Sequence, residues 1–249
     1  MENKPLKAAI LAAGAGKRMR ADGSALPKVM REAYGVPLLG YVLRALDFIP
    51  PADTLLIVGY QWETVCAAFP DYPFALQAEQ LGTGHAARIA MEALPEFEGD
   101  LLICCGDMPL MRRETYWALA ETHRESGNAC TLLSGTTPFS LPNYGRVLRN
   151  AEGVFDRIIE ARDASERELA IPELNAGVYL FDARALRGAL GSLRRNNAQA
   201  EYYLTDAPAL IQAQGGKVGV CRRELGSELL GVNTPEQLLA VERALEKSN

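Results

Sequence analysis

Histidine is scarce: the 249 residues hold two, His85 and His123. That argues against a histidine-rich metal centre, and both could be structural. Cysteine offers no more. Cys66, Cys104, Cys105, Cys130 and Cys221 contain no C-x-x-C pair, so neither a zinc site nor a dithiol redox motif is supported. No apolar run is long enough to span a bilayer, and the short polar start, Met1–Leu6, lacks a signal-peptide core. These absences predict a cytoplasmic protein with reduced, mostly buried thiols and no membrane partner. Internal repeats and low-complexity linkers are also missing. Basic charge is in short supply, with a formal net charge of −5 and a pI near 5.3. A duplex or tRNA binder is usually more basic, so no nucleic-acid partner is expected.

The basic residues that exist are unevenly spread. Seven of the 26 lie within the first 31 positions (Lys4, Lys7, Lys17, Arg18, Arg20, Lys28 and Arg31), against Glu2 and Asp22 alone of the 31 acidic residues. A local basic cluster on an acidic protein suggests a small anionic ligand held in one place. The bland alternative is a solvated charged loop.

With 48% hydrophobic and 23% charged residues the composition is ordinarily globular. Apolar runs over 7–11, 55–58, 74–77, 101–105 and 130–133 read as strands, and 37–48, 63–69, 83–94 and 113–125 as helices. Strand and helix alternate through residue 134, the mark of a parallel, doubly wound α/β sheet. The later half reads as strands over 145–149, 154–160, 177–181 and 218–221, with helices over 183–193, 204–214 and 235–247. The expected body is one α/β domain over 1–249. It comprises a doubly wound part to about 135, a β-rich substrate-facing insertion over about 136–225 and a closing helix over 234–247.

The first strand runs into Leu11, Ala12, Ala13, Gly14, Ala15, Gly16, Lys17, Arg18 and Met19. Glycines allow a tight turn whose free N–H groups can face phosphate oxygens. A Walker A loop would need Gly-Lys-Ser/Thr, and Met19 prevents that. A dinucleotide loop would need a third glycine at position 19 and an acid after strand two, which ends instead in Gly59 and Tyr60. The remaining functional reading is a triphosphate loop clamped by Lys17, Arg18 and Lys28, with Pro27 fixing the approach of Lys28. A purely structural turn is the competing one.

Here the sequence resembles a family. "LAAGAGKRM…LPKVM" is similar to the signature of sugar-nucleotide pyrophosphorylases. The chain most closely resembles the uridylyltransferase domain of the bifunctional GlmU enzymes. The likeness continues through "LQAEQLGTGHA" (76–86), "GDMPL" (106–110), "YGRV" (144–147), "IIEARDA" (158–164), "LNAGVYLF" (174–181), "NNAQAEYYLTD" (196–206) and "GVNTPEQL" (231–238). "QAEQLGTGHA" is the most specific of these.

The resemblance implies a Rossmann-like nucleotide-diphospho-sugar transferase fold. It also implies a Mg²⁺-dependent reaction of UTP with N-acetylglucosamine 1-phosphate. Leu11, Ala12, Ala13, Gly14, Gln77, Gly82 and Thr83 then fall to the nucleotide. Gln77 can donate and accept together, which suits a uracil edge, while a helix N-cap is the structural reading of Thr83. His85 receives no chemistry. Asp107, following a buried strand, and Asn233 become the Mg²⁺ ligands; alone, Asn233 would read as a cap or Asx turn before Pro235. Gly145, Glu160, Asn175, Tyr203 and Thr205 fall to the sugar phosphate, and Arg18 and Lys28 to charge neutralisation in the transition state. Another sugar phosphate or nucleotide on the same fold is the near alternative, and a non-catalytic sugar-nucleotide sensor the distant one.

The chain departs from the family at several points. Cys105 stands for Tyr, Ala176 for Thr and Ala200 for Gly, and Gly23, Ser24 and Ala25 lengthen the loop before Lys28. No acetyltransferase hexapeptide repeat follows. These departures bear on the choice of sugar and base more than on the phosphate and metal residues.

Overall fold

A computed structural model describes residues 4–16, 19 and 26–247. The strands are β1 (Leu6–Ala12), β2 (Glu32–Ala33), β3 (Val36–Pro37), β4 (Thr54–Val58), β5 (Phe74–Leu76), β6 (Asp100–Cys105), β7 (Cys130–Thr136), β8 (Arg146–Arg149), β9 (Phe155–Ile159), β10 (Leu174–Asp182) and β11 (Val218–Glu224). The helices are α1 (Leu38–Ala45), α2 (Trp62–Ala68), α3 (Thr83–Ala93), α4 (Arg113–Ser126), α5 (Glu166–Leu169), α6 (Ala183–Ser192), α7 (Ala207–Ala213) and α8 (Pro235–Glu246).

The main sheet runs β11-β7-β10-β6-β1-β4-β5. Neighbours are parallel except at β10, which is antiparallel to both β6 and β7. The sheet is therefore mixed at its centre. β6 and β7 point the same way, as their βαβ linkage demands, but β10 comes between them from the opposite direction. β8 and β9 form an antiparallel hairpin that hangs from the start of β10. The β-rich stretch thus divides: the hairpin branches off the main strand order at β10, while β10 and β11 enter that order themselves.

Alternation along the strands builds two cores. Ala8, Ile10, Leu56, Val58, Leu102 and Cys104 face one side, where α1, α2 and α4 pack through Val42, Val65 and Leu119. Ala9, Leu55, Ile57, Leu101 and Ile103 face the other, against α3, α6 and α7. Strands buried on both faces need near-continuous apolar runs, and those runs are what make them readable in the sequence. A third cluster of Met19, Ala33, Leu38, Leu230, Val232 and Val241 seats α8 beside the start of the chain.

The helix expected from residue 204 begins as a 3₁₀ turn over Leu204–Asp206 and becomes α-helical at Ala207. Pro208 sits in its first turn, where a missing N–H costs nothing. The charged stretch after Glu160 contains the short α5, opened by a capping box between Ser165 and Glu168.

Candidate active site

β1 ends at Ala12, and the chain leaves the sheet through Ala13–Gly16. Gly16 takes φ +56°, and a Cβ there would stand 2.9 Å from Lys28 Cβ. Glycine is required twice over, for the left-handed backbone and for the approach of Lys28. The 3₁₀ turn Lys28–Met30 follows Pro27, held by Met30 N–H donating to the Pro27 carbonyl at 2.9 Å. Val29 and Met30 are buried, so the turn is pinned and Lys28 is turned toward the cleft. Arg18 and Lys17, and the extra residues 23–25, lie outside the described residues.

Lys28 joins the two carriers of the expected metal site. Its Nζ donates to Asp107 Oδ2 and, at 3.0 Å, to Asn233 Oδ1. The two residues are far apart in sequence and meet because the 229–233 segment lies across the end of β6. Val232 N–H donates to the Asp107 carbonyl at 2.9 Å, and the Tyr144 hydroxyl donates to the Leu229 carbonyl at 2.5 Å while accepting from Gly231 N–H at 3.0 Å. A Cβ on Gly231 would stand 2.9 Å from that hydroxyl, so a larger residue would displace it from its two hydrogen bonds. The cap of α8 is Thr234, whose side chain accepts from Gln237 N–H. The cap reading of Asn233 therefore belongs to its neighbour, and the Asn233 amide oxygen is left to face the cation.

Among the described residues no cluster of three or more His, Cys, Asp or Glu forms a metal cage. One carboxylate and one amide oxygen closing on a single ammonium is nevertheless a donor set that suits Mg²⁺, which takes few protein oxygens and completes its octahedron with phosphate and water. Burial pushes the neighbouring Cys105 thiol up to about 12. It stays neutral beside Asp107 and contributes no thiolate.

A cleft of about 280 Å³ opens above these groups. Leu11, Ala13, Gly14, Lys28, Gln77, Gly82, Thr83, Cys105 and Asp107 line it. Ala12 does not join them; its side chain is buried in the core beneath the sheet, as alternation along β1 dictates. Gln77 is buried, and its Nε2 donates to the Gly82 carbonyl at 3.1 Å. Gly82 holds φ +106°, and a Cβ would come within 2.5 Å of the Tyr202 carbonyl oxygen. The N-cap reading of Thr83 is corrected. Gly82 is the N-cap of α3 and has no side chain to cap with, while Thr83 Oγ1 accepts from Leu204 N–H at 3.0 Å. With Gly84 N–H donating to the Tyr202 carbonyl and Tyr202 N–H to the Leu81 carbonyl, it laces the 81–84 loop to the 202–204 segment.

The residues that the resemblance assigns to the sugar phosphate gather at the hairpin. Gly145 precedes β8 and Glu160 follows β9, and the Arg146–Ile159 pairing sets them opposite each other. Asn175 N–H donates to the Gly145 carbonyl at 2.9 Å. Asn175 lies where β10 slips register, next to Gly177 at φ +69°, and its Nδ2 donates to the Tyr179 hydroxyl at 2.7 Å. Thr205 Oγ1 donates to Glu160 Oε1 at 3.0 Å. Glu160 and Tyr203 line a second cleft of about 250 Å³ with Asp163, Arg194, Asn197 and Asp206. Burial, with Asp206, Asp163 and Glu201 nearby, raises the Glu160 carboxyl above its ordinary range. Burial likewise raises the Tyr203 phenol to about 12. Ala200 occupies φ +53°, the region where glycine is unstrained, so this departure from the family places a side chain on a strained turn.

Sequence reasoning passed over several residues. Gln80 Nε2 donates to the Ala13 carbonyl at 2.9 Å and ties the 77–82 wall of the cleft to the glycine loop. Tyr144 and Gly231 set the meeting of Asp107 with Asn233. Arg88 stacks 4.2 Å over the Tyr202 ring. Gln80, Tyr144 and Gly231 stand inside quoted motifs, but nothing local marks their partners.

A glycine loop at the carboxyl end of a central parallel strand, a lysine bridging a carboxylate and an amide, and an adjoining cleft with a buried amide define the site of a nucleoside triphosphate-handling enzyme. Comparison with known proteins agrees. Residues 8–203 match the MobA-like NTP transferase domain. The bifunctional protein GlmU of Streptococcus suis is 42% identical over 243 residues, covering 96% of this chain and 52% of that protein. The GlmU protein of Streptomyces coelicolor is 40% identical over 248 residues (97% and 51%), and that of Alkaliphilus oremlandii 42% over 244 (97% and 52%). The chain belongs to the MobA-like NTP transferase family and is a nucleotidyltransferase. It spans about half the length of these relatives.

Proposed function

We propose that the chain transfers UMP from UTP to N-acetylglucosamine 1-phosphate, forming UDP-N-acetylglucosamine and pyrophosphate with Mg²⁺. The single observation that carries this reading is the convergence of Asp107 and Asn233 on Lys28 Nζ at the floor of the cleft that Gln77 lines. Asp107 and Asn233 would hold the Mg²⁺, which supplies charge neutralisation on the phosphates. Leu11, Ala13 and Gly14 would bound the triphosphate, and Gln77 with Gly82 and Thr83 the base. Gly145, Glu160, Asn175, Tyr203 and Thr205 would bound the acceptor.

The chemistry asks little of side chains. An oxygen of the sugar phosphate, already anionic at neutral pH, bonds to the α-phosphorus as the bond from that phosphorus to the bridging oxygen breaks. Pyrophosphate leaves with the electron pair. No side-chain nucleophile or general base is needed, so the protein contributes alignment and charge. Lys28 would supply positive charge from the chain, assisted by Arg18.

The test is pyrophosphate release with Mg²⁺, crossing four nucleoside triphosphates with a panel of sugar 1-phosphates. UTP with N-acetylglucosamine 1-phosphate should give the highest kcat/KM. A preference for glucose 1-phosphate would overturn the acceptor, and equal use of CTP would overturn the base.

A further inference from the structure

Gln77 has a second partner that the proposed chemistry leaves unused. Its Nε2 lies 3.1 Å from the Gly82 carbonyl oxygen and also 3.1 Å from His85 Nδ1. A carbonyl oxygen only accepts, so the amide must turn its NH₂ group toward it. The second NH₂ proton then points at the imidazole, and Nδ1 must meet it with a lone pair. Nδ1 is thereby the accepting nitrogen of the ring. Both amide protons are spent inside the protein. Oε1 makes no hydrogen bond among the described residues and belongs to a side chain lining the cleft.

We propose that His85 is a positioning residue that fixes the polarity of Gln77, so that the cleft presents a hydrogen-bond acceptor, and never a donor, to the nucleotide base. The inference rests on the reading of Gln77 as a base contact and specifies its sign. A base carrying an imino N–H, as uracil and thymine do at N3, matches an acceptor. Cytosine presents a lone pair at N3 and is repelled. Without His85 the amide keeps one anchor, the Gly82 carbonyl, and the amide proton that Nδ1 accepted has no partner. Gln77 can then swing its NH₂ to the cleft by giving up one hydrogen bond, where the native pairing would give up two. The positions enforce the pairing: Gln77 follows the end of β5, while His85 sits in the first turn of α3, directly after the Gly82 cap.

Two variants separate this role from mere packing. Asn at position 85 places Oδ1 close to where Nδ1 stood and keeps an acceptor for Gln77; Leu fills the space and offers none. His85→Leu should raise the KM for UTP with little change in kcat. The UTP-over-CTP ratio of kcat/KM should fall on the order of tenfold, the scale of one hydrogen bond gained or lost. His85→Asn should restore most of that ratio. In a Gln77→Ala background, His85→Leu should have no further effect on the ratio, because it acts through Gln77.

If the wild-type enzyme itself fails to prefer UTP over CTP, the base assignment falls and this inference with it. A wild-type preference that His85→Leu leaves intact would overturn the role of His85 alone. So would equal losses in the Leu and Asn variants, or additive losses with Gln77→Ala.

Discussion

Lys28 is held by two acceptors, the Asp107 carboxylate and the Asn233 amide oxygen. Its charge is offset in the free protein, and a phosphate that draws Nζ away must compete with Asp107. Lys28→Ala should therefore cut kcat strongly, on the order of a hundredfold or more for one well-placed donor. The fold should persist with a lowered thermal midpoint, because the largely buried Asp107 loses the ammonium that it faces. Near-normal turnover in this variant would reduce the loop to a turn; Arg18→Ala carries the same expectation.

Glu160 is the other informative residue. Its folded carboxyl titrates above the ordinary value of 4.5 because burial penalises the anion. As pH rises through 4.5 and up to the folded value, the unfolded chain loses its proton first, so stability falls across that window. Glu160→Gln removes the anion while leaving a carbonyl oxygen to accept from Thr205. Its melting temperature should exceed that of the wild type at pH 7.5 and converge with it below about pH 4, with turnover impaired. An identical difference at both pH values would mean that ionisation is not the cause.

Among elements, the start of α3 is where the two proposed substrate regions are joined. Thr83 Oγ1, Gly84 N–H and the Leu81 carbonyl each meet the 202–204 segment, the segment that also brings Tyr203 to the second cleft. Thr83→Val keeps the shape and removes the acceptor for Leu204 N–H. The KM for the sugar phosphate should rise severalfold while the KM for UTP changes less, since one neutral hydrogen bond contributes about 0.5–1.5 kcal/mol. A rise confined to UTP would mean that the lacing serves the nucleotide alone. These joins had no local signal. "LGTGHA" shows a glycine and a threonine at a helix start, and the expectation from such a pair is a cap. Gly82 has no room for a Cβ because the Tyr202 carbonyl crowds it, a neighbour about 120 positions away that no window of sequence contains.

At the scale of the whole molecule, the 229–233 segment returns to the end of β6 and is clamped there by Tyr144 and by the Asp107 carbonyl. Val232 and Val241, buried together in the third core cluster, seat the segment and α8. Asp107→Ala removes the charged member of the pair and should nearly abolish turnover at any practical Mg²⁺ concentration. Asn233→Ala removes a neutral oxygen that water can replace, so its loss should be milder and partly rescued by excess Mg²⁺. Losses in the double variant should be strongly sub-additive if both act through one ion. Strict additivity would count against a shared metal.

The sequence alone determined the strands buried on both faces, because continuous apolar runs such as Leu101–Cys104 have no other stable destination. It also determined the glycine loop after β1 and the family, because "LAAGAGKRM" and "QAEQLGTGHA" carry their chemistry in adjacent residues. Three matters were left to the tertiary structure. The insertion of β10 against β6 and β7 made the sheet mixed. The cap at α8 fell to Thr234, leaving Asn233 free to face Lys28. The Gln77 amide was locked by His85. Each depends on groups that meet across loops, where hydrogen-bond partners are chosen by the packing of whole elements and no periodicity along the chain records the choice.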